Sequence, residues 1–437
     1  MATGTGRMAD RESRFLAYVQ RLAEALGHAD RAGPLRAYCT GLLLPGERKS
    51  VEPMAAKLAP RRVGAAHQAM HHFVAKAPWD DWAMLAAVRD WVLPRLTARG
   101  RPLDAWILDD TGIPKKGRHS LGVARQYCGQ VGKQDNCQVA VSLSLAAAGA
   151  SLPIAWRLYL PKEWVDDPAR RGAARRAAAG IPAEIGFATK PAIALGQIEA
   201  ALAAGVPRPE AVVMDAGYGA DTDLRDALTS LGLSYVAGVM GSASFRPADY
   251  VPLPPKPYGG QGRRPSRLRQ PPGKAPTAAR DLAFALPAAA WRTVTWREGM
   301  RGRFAAFRVR PAHRDAARGI LRPVEWLLVE WPKGEAEPTK YFLSTLPERT
   351  SLRRLVHLAK LRWRIERDFE DLKQEVGLGH YEGRGWRGFH HHATLAIAAY
   401  GFLVAERAAL PPSAWRWRPK APGLPPGFAP RGRPAPA

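Results

Sequence analysis

Three cysteines in 437 residues, Cys39, Cys128 and Cys137, are too few for a disulfide framework and lack any paired zinc-site spacing. They read as reduced, structural thiols of a cytoplasmic protein. No run approaches the roughly 18 consecutive apolar residues of a membrane span, and the opening MATGTGRMADRESR lacks the apolar centre of a signal peptide. Acids are scarce as well: 39 Asp plus Glu stand against 65 Lys plus Arg, a net charge of +26. Such an excess calls for a polyanionic partner. With no membrane signal, that partner is expected to be nucleic acid. What is plentiful is ordinary: 46% hydrophobic residues in a chain long enough for two or three domains with a substantial core.

Residues 1–100 carry a helical pattern. Phe15, Leu16, Val19, Leu22 and Leu26 recur at amphipathic spacing. Further on, SVEPMAAKLAPRR and the segment from Gly64 to Lys76 fit two short helices joined by a basic turn. That is compatible with a helix-turn-helix in a major groove and equally with a plain helical bundle. His67, His71 and His72 fall close together there, but without Cys or acidic partners they do not suggest a metal.

The character changes at Leu103. Ala105 to Leu108 predicts a short strand running into Asp109-Asp110-Thr111-Gly112, which places carboxylates at a sheet edge, where open α/β sheets build their sites. A glycine-punctuated basic stretch follows. In it Lys115, Lys116, Arg118, Arg125 and Lys133 are candidates for phosphate contacts, and Tyr127 for stacking on a base. Cys137–Leu145 and Leu152–Leu160 alternate as strands, making an antiparallel meander with the first. Pro191–Ala203 reads as a helix. Ala211–Met214 is a buried strand running into Asp215 and then Ala-Gly-Tyr-Gly, a helix entry in which glycines clear space beside the acid. Asp221–Leu231 and Leu233–Val239 give another helix and strand.

Between Lys256 and Arg280 lie seven basic residues and no acid, in a Pro- and Gly-rich loop that reads as a linker with phosphate-contacting potential. Strand-like segments follow at Trp291–Arg310, Val324–Trp331 and Tyr341–Ser344. Leu361–Val376, free of Pro and Gly, predicts a helix that carries Arg362, Glu366 and Lys373, with Trp363, Ile365, Phe369 and Leu372 leaving it partly buried. A second, apolar helix continues to Val404. His390, His391 and His392 stand beside Trp386 and Phe389, a setting that suits contact with DNA better than metal ligation. Residues 411–437, rich in Pro, Arg and Trp, read as a disordered basic tail.

If the last helix crosses the sheet edge, Asp110, Asp215 and Glu366 meet. Three carboxylates with no cationic side chain among them repel one another and persist cheaply only around a cation. Hard oxygen ligands select Mg²⁺ or Mn²⁺. Two such ions can activate a hydroxyl and stabilise the leaving oxygen of a phosphoryl displacement, and the basic chain supplies a nucleic-acid backbone as substrate.

Three stretches in this order, WILDDTGIPKKGRHSLGVARQYCGQVGKQDNCQVAVSL, VVMDAGYGADTDL and RWRIERDFEDLKQEVGLGHYEGRGW, resemble bacterial insertion-sequence transposases of the DDE type. The resemblance spans residues from about 100 to 400 and is to the branch with a β-rich insertion before the catalytic Glu. It implies a mixed α/β fold with an RNase H-like catalytic core. The parts would be a helical DNA-binding domain at 1–100, core at 101–240, insertion at 241–348 and returning core helices at 349–410. It also implies Asp110, Asp215 and Glu366 as catalytic metal ligands for two Mg²⁺ ions, with Mn²⁺ able to substitute. The first acid of the family commonly precedes Thr, which favours Asp110 over its neighbour Asp109; Glu370 is the alternative third acid. Arg362 and Lys373 match the Arg and Lys of a Tyr-Arg-Glu-Lys signature that contacts transposon-end phosphates, whereas the Tyr position falls on Ala359, which puts hairpin processing in doubt. A Trp of the insertion, such as Trp291 or Trp296, would stack on a flipped base. The expected partner is double-stranded DNA, both element ends and target, bound by a homodimer with no role for a membrane, in the bacterial cytoplasm at the nucleoid. Two rival readings are a metal-dependent nuclease on the same fold and a DNA-binding regulator derived from a transposase.

Overall fold

A computed structural model of the chain describes residues 3–409, apart from 101, 148, 166–171, 298 and 313–320. The Pro-rich tail from 411 lies outside the described residues. The first strand, β1 (Ala105–Pro114), begins with the apolar run Ala105–Leu108 but does not stop at the acids. It continues because β3 (Lys133–Ala147) pairs with it antiparallel over its whole length, from Ala105↔Ala146 to Pro114↔Cys137. Within the basic stretch lies a strand that the glycines conceal, β2 (Ala124–Cys128), which pairs with the start of β3. The other end of β3 pairs with β4 (Ala150–Leu158), completing the antiparallel meander.

On the far side of β1, β5 (Ala211–Met214) and β6 (Tyr235–Val239) run parallel to it and to each other. Three antiparallel strands followed by two parallel ones, in the order β4-β3-β1-β5-β6, is the RNase H-like arrangement. The β1–β5 pairing ends at Ile107↔Val213. Asp109 and Asp110 therefore sit on an overhang just past the carboxyl end of β5, even though their own strand continues.

The sheet does not end at β6. The segment after it forms β7 (Ser244–Pro247), β8 (Thr277–Ala278), β9 (Arg292–Arg297), β10 (Met300–Pro311), β11 (Glu325–Glu330) and β12 (Lys340–Ser344). β12 pairs antiparallel with β6, so these strands extend the core sheet through β12, β11, β10 and β7.

The N-terminal helices are α1 (Thr3–Ala23), α2 (Ala32–Leu43), α3 (Val51–Leu58), α4 (Val63–Ala75) and α5 (Asp81–Leu96). Short helices α6 (Lys162–Val165) and α7 (Gly172–Ala179) precede α8 (Lys190–Ala203). Next come α9 (Ala216–Gly219), α10 (Thr222–Ser230) and α11 (Ala279–Phe284). The last three are α12 (Leu352–Lys360), α13 (Trp363–Gln374) and α14 (Trp386–Ala409).

Helix α14 is apolar nearly all round, as a fully buried helix must be. It packs against β4 on one side and α5, α2 and α4 on the other, joining the N-terminal helices to the sheet in one continuous core.

This burial corrects the expectation that His390, His391 and His392 touch DNA: all three are buried in α14. His390 accepts from the Leu158 amide and faces the Trp386 carbonyl, and burial pushes its pKa down to about 4. His392, between the Tyr38 hydroxyl at 2.9 Å and the Gly377 carbonyl at 3.0 Å, is likewise lowered by burial to about 4. His391 stacks on Trp79 at 3.6 Å, and both of its nitrogens face carbonyls. In each of the first two, the neutral ring satisfies one donor and one acceptor. Both should stay neutral in the folded protein down to pH 5, a unit or more below the usual histidine range. Imidazole proton shifts in an NMR titration test this, and a midpoint near 6.5 would contradict it.

Candidate active site

The acids are placed by two local devices. Asp109 and Asp110 are successive on β1 and so point to opposite faces of the sheet. Asp109 is buried and meets Arg362, whose guanidinium lies 3.2 Å from both of its carboxylate oxygens. Burial raises the Asp109 pKa to about 6; the Arg362 charge opposes that rise, and Asp215 and Asp110 add to it. Asp110, half-exposed, is held by the Lys190 ammonium at 2.6 Å. Lys190 opens α8, whose N-cap is the Thr189 hydroxyl accepting from the Ala192 amide.

Asp215 follows β5 directly and caps α9: its Oδ1 accepts from the amides of Gly217 at 2.9 Å and Tyr218 at 3.1 Å. The glycines explain why the chain can turn there. A Cβ on Gly219 would overlap the Gly238 carbonyl of β6, and one on Gly238 would come within 2.8 Å of the Ala216 nitrogen.

The helix expected over Leu361–Val376 begins at Trp363. The turn before it is tightened by bonds from Leu361, Arg364 and Ile365 to carbonyls three residues earlier. Arg362 therefore stands at the N-cap position of α13, from where it reaches Asp109. Glu366 lies one turn on, 3.9 Å from Arg362, with its side chain 64% exposed. Asp215, Arg362 and Glu366 line one cleft of about 480 Å³, together with Met240, Trp296, Lys360 and Trp363.

One premise drawn from the sequence is corrected. The acids do have cationic neighbours, Lys190 on Asp110 and Arg362 on Asp109. Both come from segments distant in sequence, so spacing could not reveal them. Among the described residues, no group of three His, Cys, Asp or Glu side chains is gathered to hold a metal ion as it stands. The chemistry of the donors nonetheless fits a hard divalent ion: carboxylates only, at the edge of a basic protein. A buried hydroxyl, that of Tyr218, also lies near them without a partner among the described residues.

The remaining candidates divide by exposure. Lys116, Arg118, Arg125 and Tyr127 are exposed, the last two on β2. Lys115 donates to the Tyr381 carbonyl and Lys373 to the Gly112 carbonyl, each at 2.9 Å, so both also tie the structure together. Glu370 pairs with Arg367 at 3.0 Å, on the exposed side of α13. Ala359 is buried at the wall of the cleft. Trp296 lines the cleft with the Lys360 ammonium over its ring, whereas Trp291 packs edge-on against Trp331.

Asp368 is the buried carboxylate of α13, and the sequence reading missed it. It accepts from the Ser151 hydroxyl and, at 2.8 Å, from the Tyr400 hydroxyl, and burial raises its pKa to about 6. Its place four residues after Arg364 on the apolar side of the helix was the available signal. Asp368→Ala leaves two buried hydroxyls unpaired and should destabilise the protein by about 2 kcal/mol or more, while Asp368→Asn should lose less. Urea unfolding of the two variants measures this, and equal losses would contradict the pairing.

The topology and the acids at the carboxyl edge of the parallel strands define the class. The family described as DDE superfamily endonuclease matches residues 21–303, and this chain belongs to it. The match includes Asp109, Asp110 and Asp215 and ends before Glu366. The chain is 38% identical over 96 residues to the probable transposase for insertion sequence element IS701 of Microchaete diplosiphon; the aligned part is 22% of this chain and 24% of that protein. Among solved structures, the piggyBac transposase synaptic complex with hairpin DNA aligns with 87% of this chain and 66% of its own, at 11% identity and a TM-score of 0.40. Among the described residues, no helix is long and apolar enough to cross a membrane.

Proposed function

We propose that this chain is an insertion-sequence transposase that binds the terminal inverted repeats of its element, cuts there and joins the ends to target DNA. The observation that carries this reading is the single cleft lined by Asp215, Glu366 and Arg362, with Asp109 bonded to that same arginine, in a protein of net charge +26. Asp110, Asp215 and Glu366 would hold two Mg²⁺ ions, or Mn²⁺ in their place. When bound, these supply an activated hydroxyl and charge neutralisation at the leaving oxygen of an in-line displacement. Asp109 keeps Arg362 over the cleft, and Lys116, Arg118 and Arg125 offer exposed cations for phosphates beside it. Trp296 and Trp363 give the cleft aromatic walls against which an unstacked base could lie.

Cleavage frees a 3′-hydroxyl. In joining, that hydroxyl attacks a target phosphodiester, one P–O bond forms as another breaks, and no covalent enzyme intermediate is needed. Handling two ends requires at least a dimer on DNA, acting in the cytoplasm at the nucleoid. The test is incubation with labelled duplexes that end in the element's repeats, with Mg²⁺ or with EDTA. Nicked and joined products that require the metal support the reading. Nicks without joining would move it to a nuclease, and tight binding without metal-dependent nicks to a regulator.

A further inference from the structure

We infer that Tyr218 is a positioning residue for the acidic site: its hydroxyl takes over the Asp110 carboxylate when a divalent cation displaces the Lys190 ammonium. The inference rests on the function proposed above. Tyr218 is buried on α9, directly after the Asp215 cap, and its own amide donates to Asp215 Oδ1. Its hydroxyl has no hydrogen-bond partner among the described residues. A buried hydroxyl left unpaired is costly, and phenylalanine would fill the same space without that cost. The hydroxyl thus makes sense only with a partner that arrives later.

The surroundings identify that partner. Beyond burial, the charges of Asp110, Asp109 and Asp215 all push the Tyr218 pKa up, and Asp110 is the largest of the three. As the chain stands, Asp110 is engaged by Lys190 at 2.6 Å, on the oxygen Oδ2. An ammonium and a divalent cation cannot share one carboxylate without repulsion, so metal loading drives Lys190 away. Asp110 then loses the contact that fixed its orientation. A neutral donor nearby restores it, which is the usual task of groups behind a metal ligand. Lys190 and Tyr218 thus hold the same carboxylate in its unloaded and loaded states.

The test uses the full-length protein with Mn²⁺ as probe, with the free ion counted by its electron paramagnetic resonance signal. Tyr218→Phe should weaken Mn²⁺ binding by about 10-fold, and its thermal midpoint without metal should be equal to or above that of wild type, since an unpaired buried hydroxyl is gone. Lys190→Met should shift binding the opposite way, to tighter values, because a competitor is removed. Equal Mn²⁺ affinity of wild type and Tyr218→Phe would overturn the inference, and so would a Tyr218→Phe protein that unfolds well below wild type without metal. A wild type that binds no Mn²⁺ would overturn it together with the metal-dependent reading. Altered Mn²⁺ affinity in a protein that cuts no DNA would leave this role standing while the transposase reading falls.

Discussion

Asp215→Ala and Glu366→Ala should each lose metal-dependent strand cleavage by on the order of 10³-fold or more while still binding duplex DNA. The size follows from the work asked of the site. Charge stabilisation at a phosphoryl transfer site contributes several kcal/mol, and each 1.4 kcal/mol is about a decade in rate. Asp215 and Glu366 line the same cleft, so either loss should act at one place. The two variants differ in their side effects. Glu366 is largely exposed, and its removal should leave stability within about 0.5 kcal/mol. Asp215 also caps α9 through two amides, so its alanine variant should lose about 1 kcal/mol as well. Single-turnover cleavage of labelled duplex, read beside urea unfolding of the same preparations, separates the two effects. Cleavage by Glu366→Ala at the wild-type rate would remove that residue from the site and turn attention to Glu370.

Gly219→Ala should be the most damaging small substitution in the core. The added methyl would meet the Gly238 carbonyl oxygen, which is backbone held in β6 and cannot swing aside. Overpacking of that kind costs about 3 kcal/mol or more. Relief can come only by shifting α9, which carries the amides that fix Asp215. The variant should therefore lose stability and cleavage together, even though alanine is ordinarily a good helix residue. Gly196→Ala is the control. It lies in α8 with open space around the missing side chain, and it should stabilise the protein by up to about 1 kcal/mol. Equal thermal midpoints for the two variants would contradict the close packing of α9 on β6.

Much of this was legible in the sequence where the signal is local. Four apolar residues followed by Asp-Ala-Gly-Tyr-Gly identify a core strand, a cap and a close approach at once, and the structure has all three. The amphipathic face of α13 likewise appeared from Ile365, Phe369 and Leu372. Strand β2 was hidden because glycines flank it and its pairing depends on a partner strand. The histidine triplet was misread from its aromatic neighbours, although the all-round apolar character of α14 already argued for burial. The pairs Lys190–Asp110 and Arg362–Asp109 join segments far apart in the chain, and which aspartate meets which cation depends on the face each takes on β1. No spacing rule carries that information.

The most direct measurement is anomalous diffraction from crystals soaked in Mn²⁺. The account predicts two peaks roughly 3.5–4 Å apart, within coordination distance of Asp110, Asp215 and Glu366, with Lys190 withdrawn from Asp110. Peaks on Asp109 in place of Asp110 would reassign the first ligand. An absence of peaks at the cleft, in crystals of protein that cuts DNA in Mn²⁺, would contradict the account.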